Sequence, residues 1–435
     1  MSGLVLLAAC HGPAFVLKGG SSCGATATGN AGPASVVWTN ELGRSGVPHA
    51  IGVGPGGAVA VAGMTSGIPR RAFVATFDAH GHLRWLREFA GHATFSGVAI
   101  GADGSVAVDA TFREQIELAG QSIAPPIGEE DVFIAKWSPT GDAQWMRAVQ
   151  GKYADEAGPL VIDDAGDVHF AARIAGDPIS LGATKVSDMV LATLSGKDGA
   201  VLGATSWVGA KPTSLAIDRT AASGRGLVLA GFFRDELHLG YDAAQNERVL
   251  KPGYGRGGGA FVMKLRSLSD VAWAETAVSV HEYVDWYQAE PSVAVSPRGR
   301  IAVVANDHDA RRTTLIGTWD QAGKRGWERC FSTAGGDSNA TAIAFDEGEN
   351  LSIAGNFQEG ASYVDQGGPL FLVRYSATGD LLDSSVRFRS NKISPGAVAI
   401  DTLGRAIWIG ADFHGKSDEQ APDDVIVQAF GRRLD

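Results

Sequence analysis

Short apolar runs recur along the whole chain, and each is followed by a turn rich in Gly or Asp. One such run ends in a small or acidic residue and occurs seven times, at residues 50–54, 98–101, 160–163, 215–218, 293–296, 343–346 and 398–401. Most copies lead into a Gly-containing turn such as Asp103-Gly104. Glycine supplies the positive φ that closes a short hairpin, so each copy predicts a strand and a tight turn.

A second and a third strand follow each of these turns. A third-strand signature with aromatic and β-branched residues occurs at residues 73–77, 133–137, 190–194, 261–265, 315–319, 371–375 and 426–430. A fourth strand follows and often carries a tryptophan, as at Trp85, Trp145, Trp273 and Trp327. Near-continuous apolar strands indicate sheets that are packed on both faces. The chain is therefore predicted to be all-β, a seven-bladed β-propeller of four-stranded antiparallel blades.

The seventh unit ends after its third strand, and the missing strand is present at the other end of the chain. Residues 35–41 precede the first unit and carry Trp38 at the expected place. We expect this N-terminal strand to complete the last blade and close the ring, which removes an unpaired sheet edge. The predicted propeller covers residues 34–435.

Two stretches resemble known repeats. Residues 112–145, with Glu130-Asp131-Val132-Phe133 at their centre, resemble the seven-bladed β-propeller repeat family of exported, often lipid-anchored bacterial proteins. Residues 75–85 are similar to the tryptophan-docking repeat of quinoprotein dehydrogenases, in which the tryptophan packs between neighbouring blades. The first resemblance implies the fold and a place in the cell envelope. Neither one supplies catalytic residues or a cofactor, and none is predicted.

The N-terminal residues resemble the end of a bacterial lipoprotein signal peptide. Leu7-Ala8-Ala9-Cys10 matches a lipobox, so residues 1–10 are predicted to be a signal segment, with lipid carried by Cys10. Residues 11–33, rich in Gly, Ser, Ala and Thr, are predicted to form a flexible tether. The alternative is an apolar tail without this role. The sequence does not decide whether the two remaining cysteines, Cys23 and Cys330, pair with each other.

Composition and charge argue against several classes of partner. The net charge is −11, and a surface of that sign repels a phosphate backbone, so nucleic acid is not expected to bind. No polybasic run is present, which leaves the lipid anchor as the expected membrane contact. The acidic run at residues 163–167 lacks the spacing of a calcium loop, and no zinc-type Cys/His spacing occurs, so no metal site is predicted.

The candidate binding residues lie in connections between units. Residues 280–290 are longer than the equivalent connections and hold Tyr283, Asp285, Trp286 and Tyr287. Tyr153 and Asp155 occupy the corresponding place between the second and third units. In a meander these connections share one face with the long second-to-third-strand loops. Loops on a rigid scaffold commonly carry binding residues, although the aromatics could instead fold back over the blade edges.

Two functions agree with these patterns. The first is a non-catalytic binding or scaffold protein of the bacterial cell envelope, exported and anchored by lipid, with a protein or a glycan as its ligand. The alternative is an extracellular enzyme that acts on polysaccharide through carboxylates at the propeller hub. Propellers support both roles, so the fold alone does not choose between them.

Overall fold

Seven four-stranded antiparallel sheets form a closed ring, which confirms the predicted seven-bladed β-propeller. The computed structural model describes residues 15–16, 35–43, 45–125, 130–221, 226–241, 247–252, 258–279, 290–307, 313–333, 337–358, 370–387, 393–401, 404–412 and 424–431. Each blade is a meander whose first strand is innermost, because the first strands contact one another around the ring, including those of blades 7 and 1.

The first four blades follow the chain without interruption. Blade 1 consists of Gly46–Val53, Val59–Thr65, Arg71–Phe77 and Leu83–Ala90. Blade 2 consists of Ala93–Ile100, Val106–Phe112, Asp131–Trp137 and Ala143–Val149. Blade 3 consists of Glu156–Ile162, Val168–Leu181, Thr184–Leu194 and Val201–Trp207. Blade 4 consists of Ala210–Asp218, Gly226–Phe233, Gly259–Ser267 and Asp270–Ser279.

The last three blades include the closure of the ring. Blade 5 consists of Ser292–Val295, Ile301–Asp307, Thr313–Trp319 and Arg325–Thr333. Blade 6 consists of Asp337–Phe345, Leu351–Gln358, Leu370–Tyr375 and Leu381–Arg387. Blade 7 takes Ile393–Ile400, Ala406–Asp412 and Asp424–Gly431 from the C-terminal end and Ser35–Glu41 from the N-terminal end. Trp38 lies opposite Ala429 in this outermost strand, which confirms the predicted closure.

The apolar strands are continuous because each blade is packed between two others. On the second strand of blade 1, Val59 and Val61 pack with Ile407 and Ile409 of blade 7. The alternate residues, such as Ala60, face the other way and pack with blade 2. Successive side chains of a strand point to opposite faces, so a strand with a neighbour on each side is apolar at every position.

Tryptophans of the outer strands dock on glycines of the next blade, as the resemblance implied. Trp145 is 2% exposed, and its indole N–H donates to the carbonyl of Gly196 at 3.2 Å. A Cβ on Gly199 would lie only 2.7 Å from Cε3 of Trp145, so the dock requires a glycine. The same contact joins the pairs Trp38–Gly81, Trp85–Gly141, Trp273–Gly323 and Trp327–Gly379. The tryptophans therefore belong to the hydrophobic core between neighbouring blades.

Two outer strands lack this tryptophan. In blade 3 the position is Gly203, and Leu268 of the blade 4 turn approaches it instead. In blade 6 it is Asp383. Blade 7 has no turn between its third and fourth strands, because these come from opposite ends of the chain. A tryptophan at Asp383 would therefore have no turn on which to dock.

The two faces of the ring differ in their connections. Turns between first and second strands, and between third and fourth strands, are short, and we call this side the short-turn face. Its acidic residues hold their own turns: Asp163 Oδ1 accepts the amides of Ala165 and Asp167, each at 2.9 Å. Among the residues described, no three His, Cys, Asp or Glu side chains are placed to hold a metal ion.

The opposite side, the long-loop face, carries the remaining connections. In blade 2 the second-to-third loop forms a hairpin, Ile116–Leu118 and Gln121–Ile123, which pairs through Glu117 with Ala90 of blade 1. In blade 4 the loop forms Leu237–Tyr241 and Glu247–Leu250, with Leu237 buried. The blade 2 hairpin thus extends the sheet of blade 1, whereas the blade 4 hairpin forms a separate two-stranded sheet.

The N-terminal segment also contacts the rim. Phe15–Val16 pairs antiparallel with the outer strand of blade 5, and Cys330 of that strand is disulfide-bonded. The other cysteines of the chain, Cys10 and Cys23, lie outside the described residues. No helix in the described ranges is long and apolar enough to cross a bilayer.

Candidate functional site

The first strands line the hub and are mixed in character. Ile51 and Val161 are partly exposed apolar residues, while Thr94, Ser96 and Thr341 are exposed hydroxyl residues. Charged side chains are found at the mouth of the channel on the long-loop face.

A charged arc lies at the mouth on blades 3 to 5. Lys211 Nζ is 3.2 Å from Glu156 Oε2, and Arg173 Nη1 is 3.1 Å from Glu156 Oε1. Glu290 lies two residues before the first strand of blade 5 and is exposed. Desolvation raises the pKa of Glu290, the charge of Glu156 adds to this, and Lys211 opposes it. The arc therefore places an anchored carboxylate, Glu156, near a second one, Glu290, whose pKa is raised.

The part of the mouth on blades 1 and 2 carries two histidines and an arginine. His49 Nδ1 accepts the amide of Phe95 at 3.3 Å. Burial, and then the neighbouring His92, lower the pKa of His49 to about 4, so His49 is neutral at pH 7. Arg70 Nη1 lies 3.5 Å from His92 Nε2. His49 thus fixes the first strand of blade 2, while Arg70 and His92 remain near the surface.

Tyr153 lies on the surface of the link between blades 2 and 3, where it is 44% exposed. Its ring rests on Gly176 of blade 3, where a Cβ would lie 2.2 Å from Cδ2. The Lys152 ammonium lies over the ring, 5.4 Å from the centroid, and 3.9 Å from Asp177 Oδ2. Tyr153 is therefore held in place and offers an edge and a hydroxyl to a ligand.

Asp155 is placed quite differently, because it is fully buried beneath the same link. Its Oδ1 accepts the amide of Ala175 at 2.9 Å, and its own amide donates to the carbonyl of Glu130 at 2.8 Å. A Cβ on Gly151 would lie 2.6 Å from its Oδ2. Burial, with the charge of Asp131 adding to it, raises the pKa of Asp155 to about 6.

Asp131 completes this support. It is also fully buried, and its Oδ1 accepts the amide of Gly151 at 3.1 Å. Its Oδ2 accepts from Gln150 Nε2 at 3.2 Å, and the same nitrogen donates to the carbonyl of Ala124 at 2.7 Å. Two buried carboxylates thus hold residues 150–155. In this arrangement Asp155 positions Tyr153 and presents no surface to a ligand.

The other predicted binding residues, Tyr283, Asp285, Trp286 and Tyr287, lie outside the described residues. Their role as a binding patch stays a prediction. Sequence reasoning missed Lys211 and did not assign a role to Glu156 or Glu290. Their shared place, at or just before the first strand of three successive units, gave no distinctive signal, because Asp337 and Lys392 occupy similar places in other units.

Comparison with known proteins leaves the family open. No family model matches the chain, and no curated protein matches it. Among solved structures, the polysaccharide lyase Uly1 is 13% identical with a TM-score of 0.47, over 88% of this chain and 89% of that one. The β-propeller domain of the Trilobed protease from Pyrococcus furiosus is 8% identical with a TM-score of 0.45, over 85% and 93%.

YCF48 bound to D1 peptide is 10% identical with a TM-score of 0.44, over 93% of this chain and 97% of that one. The three are a lyase, a domain of a protease and a protein bound to a peptide, and each TM-score lies below 0.5. The likeness therefore does not select a function.

Proposed function

We propose that this protein is a non-catalytic binding or scaffold protein that holds a protein or glycan ligand on its long-loop face. The observation that carries the proposal is the construction of the link between blades 2 and 3. Two buried carboxylates, Asp131 and Asp155, fix a short segment whose aromatic side chain, Tyr153, is left 44% exposed. A preorganised exposed aromatic on a rigid base is typical of binding surfaces, because little entropy is lost when a ligand docks.

The test compares wild type with Tyr153→Ala on two sets of probes, a glycan array and a displayed library of random peptides. We expect at least one set to contain ligands, and Tyr153→Ala to weaken their binding by about tenfold, the usual effect of truncating an interface aromatic. Leu202→Ala is the matched control, since Leu202 is also exposed but lies near the short-turn face. Ligands that respond equally to both variants would contradict this proposal.

Export and lipid anchoring form part of the same proposal. Cys330 is disulfide-bonded, and disulfides persist mainly in oxidising compartments outside the cytoplasm. The chain has three cysteines, so a lipid-bearing Cys10 requires that Cys330 pairs with Cys23. Mass spectrometry of the protein purified from bacterial membranes tests both points: an acylated Cys10 and a peptide cross-linked through Cys23 and Cys330 are expected together.

A second candidate, an enzyme acting on polysaccharide, is favoured by one observation. Glu156 and Glu290 flank Lys211 at the channel mouth, and the pKa of Glu290 is raised while Glu156 is held by two cations. Glycoside hydrolysis needs a carboxyl group with a raised pKa that acts as an acid, together with a second carboxylate. Release of reducing ends from the polysaccharide probes, abolished by Glu290→Gln, would favour this function over the first.

A further inference from the structure

Exposed apolar side chains are unevenly distributed over the two faces. The described chain has seven large hydrophobic residues that are well exposed. Three of them, Leu83, Leu202 and Leu382, stand at the short-turn end of outer strands. The other four form a series along the long-loop face of blades 1 to 4, which we call the apolar arc: Val47, Ile68, Tyr153 and Val208.

The members of the arc belong to successive connections. Val47 lies near the start of the first strand of blade 1, and Ile68, fully exposed, lies in the second-to-third loop of that blade. Tyr153 follows in the link between blades 2 and 3. Val208, 67% exposed, lies in the link between blades 3 and 4. In a meander all these connections reach the same face, so an extended ligand that lies across this face has several of them on its path.

The chemistry of the arc suits a protein better than a sugar. Sugar recognition relies on a free, flat aromatic face against which a ring can stack. Tyr153 is the one aromatic of the arc, and its ring already contacts Gly176 while the Lys152 ammonium lies over it. The other members are branched aliphatic side chains, which pack well against protein side chains and offer no stacking surface.

The charges nearest the apolar arc indicate which charge the partner's contacting residues carry. Arg70 is exposed two residues after Ile68, and its recorded side-chain contact is with His92, so its charge is available to a ligand. Lys152 is exposed beside Tyr153, and its ion pair with the equally exposed Asp177, at 3.9 Å, is weak enough for a ligand carboxylate to replace it. A partner with acidic residues beside its apolar ones would complement both sites.

We infer that the apolar arc binds a protein segment that presents aliphatic or aromatic side chains flanked by Asp or Glu. This inference rests on the proposed binding function and names the class of its ligand. The partner covers Ile68 and Val208 at the two ends, contacts the edge of Tyr153 between them, and places its carboxylates near Arg70 and Lys152.

The experiment uses the full chain, the displayed library of random peptides and the glycan array. Three proteins are compared: wild type, the double variant Ile68→Ser with Val208→Ser, and the control Leu83→Ser with Leu202→Ser. Both pairs exchange exposed apolar side chains for serine, so both should fold. We expect wild type to select peptides rich in apolar and acidic residues, and the arc variant to lose at least tenfold in affinity for them. The control should change by less than twofold.

The possible outcomes distinguish failure of this inference from failure of the proposed binding function. Selected peptides that lose their preference for Asp and Glu on Arg70→Glu with Lys152→Glu would support the assigned charge pattern. Glycan binding that depends on Tyr153, with no arc-dependent peptides, would overturn the inference while leaving the binding function in place. Ligands absent from both probe sets, or unaffected by every long-loop-face variant, would overturn the inference and the binding function together.

Discussion

Trp145→Ala is expected to lower the free energy of unfolding by about 3–5 kcal/mol, the usual cost of emptying a buried aromatic site. Trp145 is 2% exposed and joins two blades through three elements: its ring on Gly199, its N–H to Gly196, and Arg147 beside it, whose Nε donates to the carbonyl of Gly199 at 3.0 Å. The truncation removes the ring from both blades, so neither can fill the space alone. Urea unfolding followed by intrinsic fluorescence measures the change.

Variants at glycine test the contact between Trp145 and Gly199 from the side of the glycine. Gly199→Ala places a Cβ 2.7 Å from Trp145 at a φ of +69°, so it adds a clash to backbone strain. Gly104→Ala has a similar φ of +84°, but its nearest neighbour, Pro139 Cβ, is 3.5 Å away. In the control, Gly104→Ala, backbone strain alone should lower the free energy of unfolding, by about 1–2 kcal/mol. Gly199→Ala should lower it clearly more. Equal losses, or a loss below about 1 kcal/mol for Trp145→Ala, would mean that the dock contributes little to stability.

Asp155→Asn is expected to stabilise the protein at pH 8 by about 1–3 kcal/mol, with the gain disappearing toward pH 4. The folded state raises the pKa of Asp155 from 3.8 to about 6, so it binds this proton more tightly than the unfolded state does. The contribution of Asp155 is therefore most favourable below pH 3.8 and is lost as pH rises through 6. Two pKa units correspond to roughly 3 kcal/mol, which sets the upper bound.

Asparagine mimics the protonated acid, because it keeps an oxygen for the Ala175 amide and removes the charge next to Asp131. The difference between variant and wild type across pH 4–8 isolates this one group from all others that titrate. Asp177→Asn, which removes an exposed carboxylate on the adjacent part of blade 3, controls for the change in net charge. A destabilised Asp155→Asn at pH 8 would show that the carboxylate makes net favourable bonds when it is ionised.

The blade count was predictable because a strand buried on both faces leaves a strong local signal. An apolar run with a Gly turn repeats seven times, and the missing fourth strand is visible at residues 35–41. The extension of blade 3 was harder to foresee, since the second strand continues to Leu181 through a segment, Ala175 to Ser180, that is largely exposed. A short segment of mostly exposed residues has no apolar pattern, so its sequence does not distinguish a strand from a loop.

The site was less accessible to sequence reasoning, because its chemistry depends on contacts between blades. Asp155 and Tyr153 are two residues apart, and in the sequence both look like surface groups of one loop. Their opposite burial is set by Ala175 and Asp131, which lie 20 or more residues away along the chain. Glu156 meets Lys211 for a similar reason, since both stand at the inner ends of adjacent blades.

The composite seventh blade also determines when this protein can finish folding. Thr39 in the closing strand bonds to Gln428, 389 residues later. At a synthesis rate of about 5–20 residues per second, the earliest strand waits roughly 20–80 s for its partner. Throughout that interval the sheet of blade 7 is incomplete, so the ring cannot close. The ring can close only after Asp424–Gly431 has been made and has paired with Ser35–Glu41.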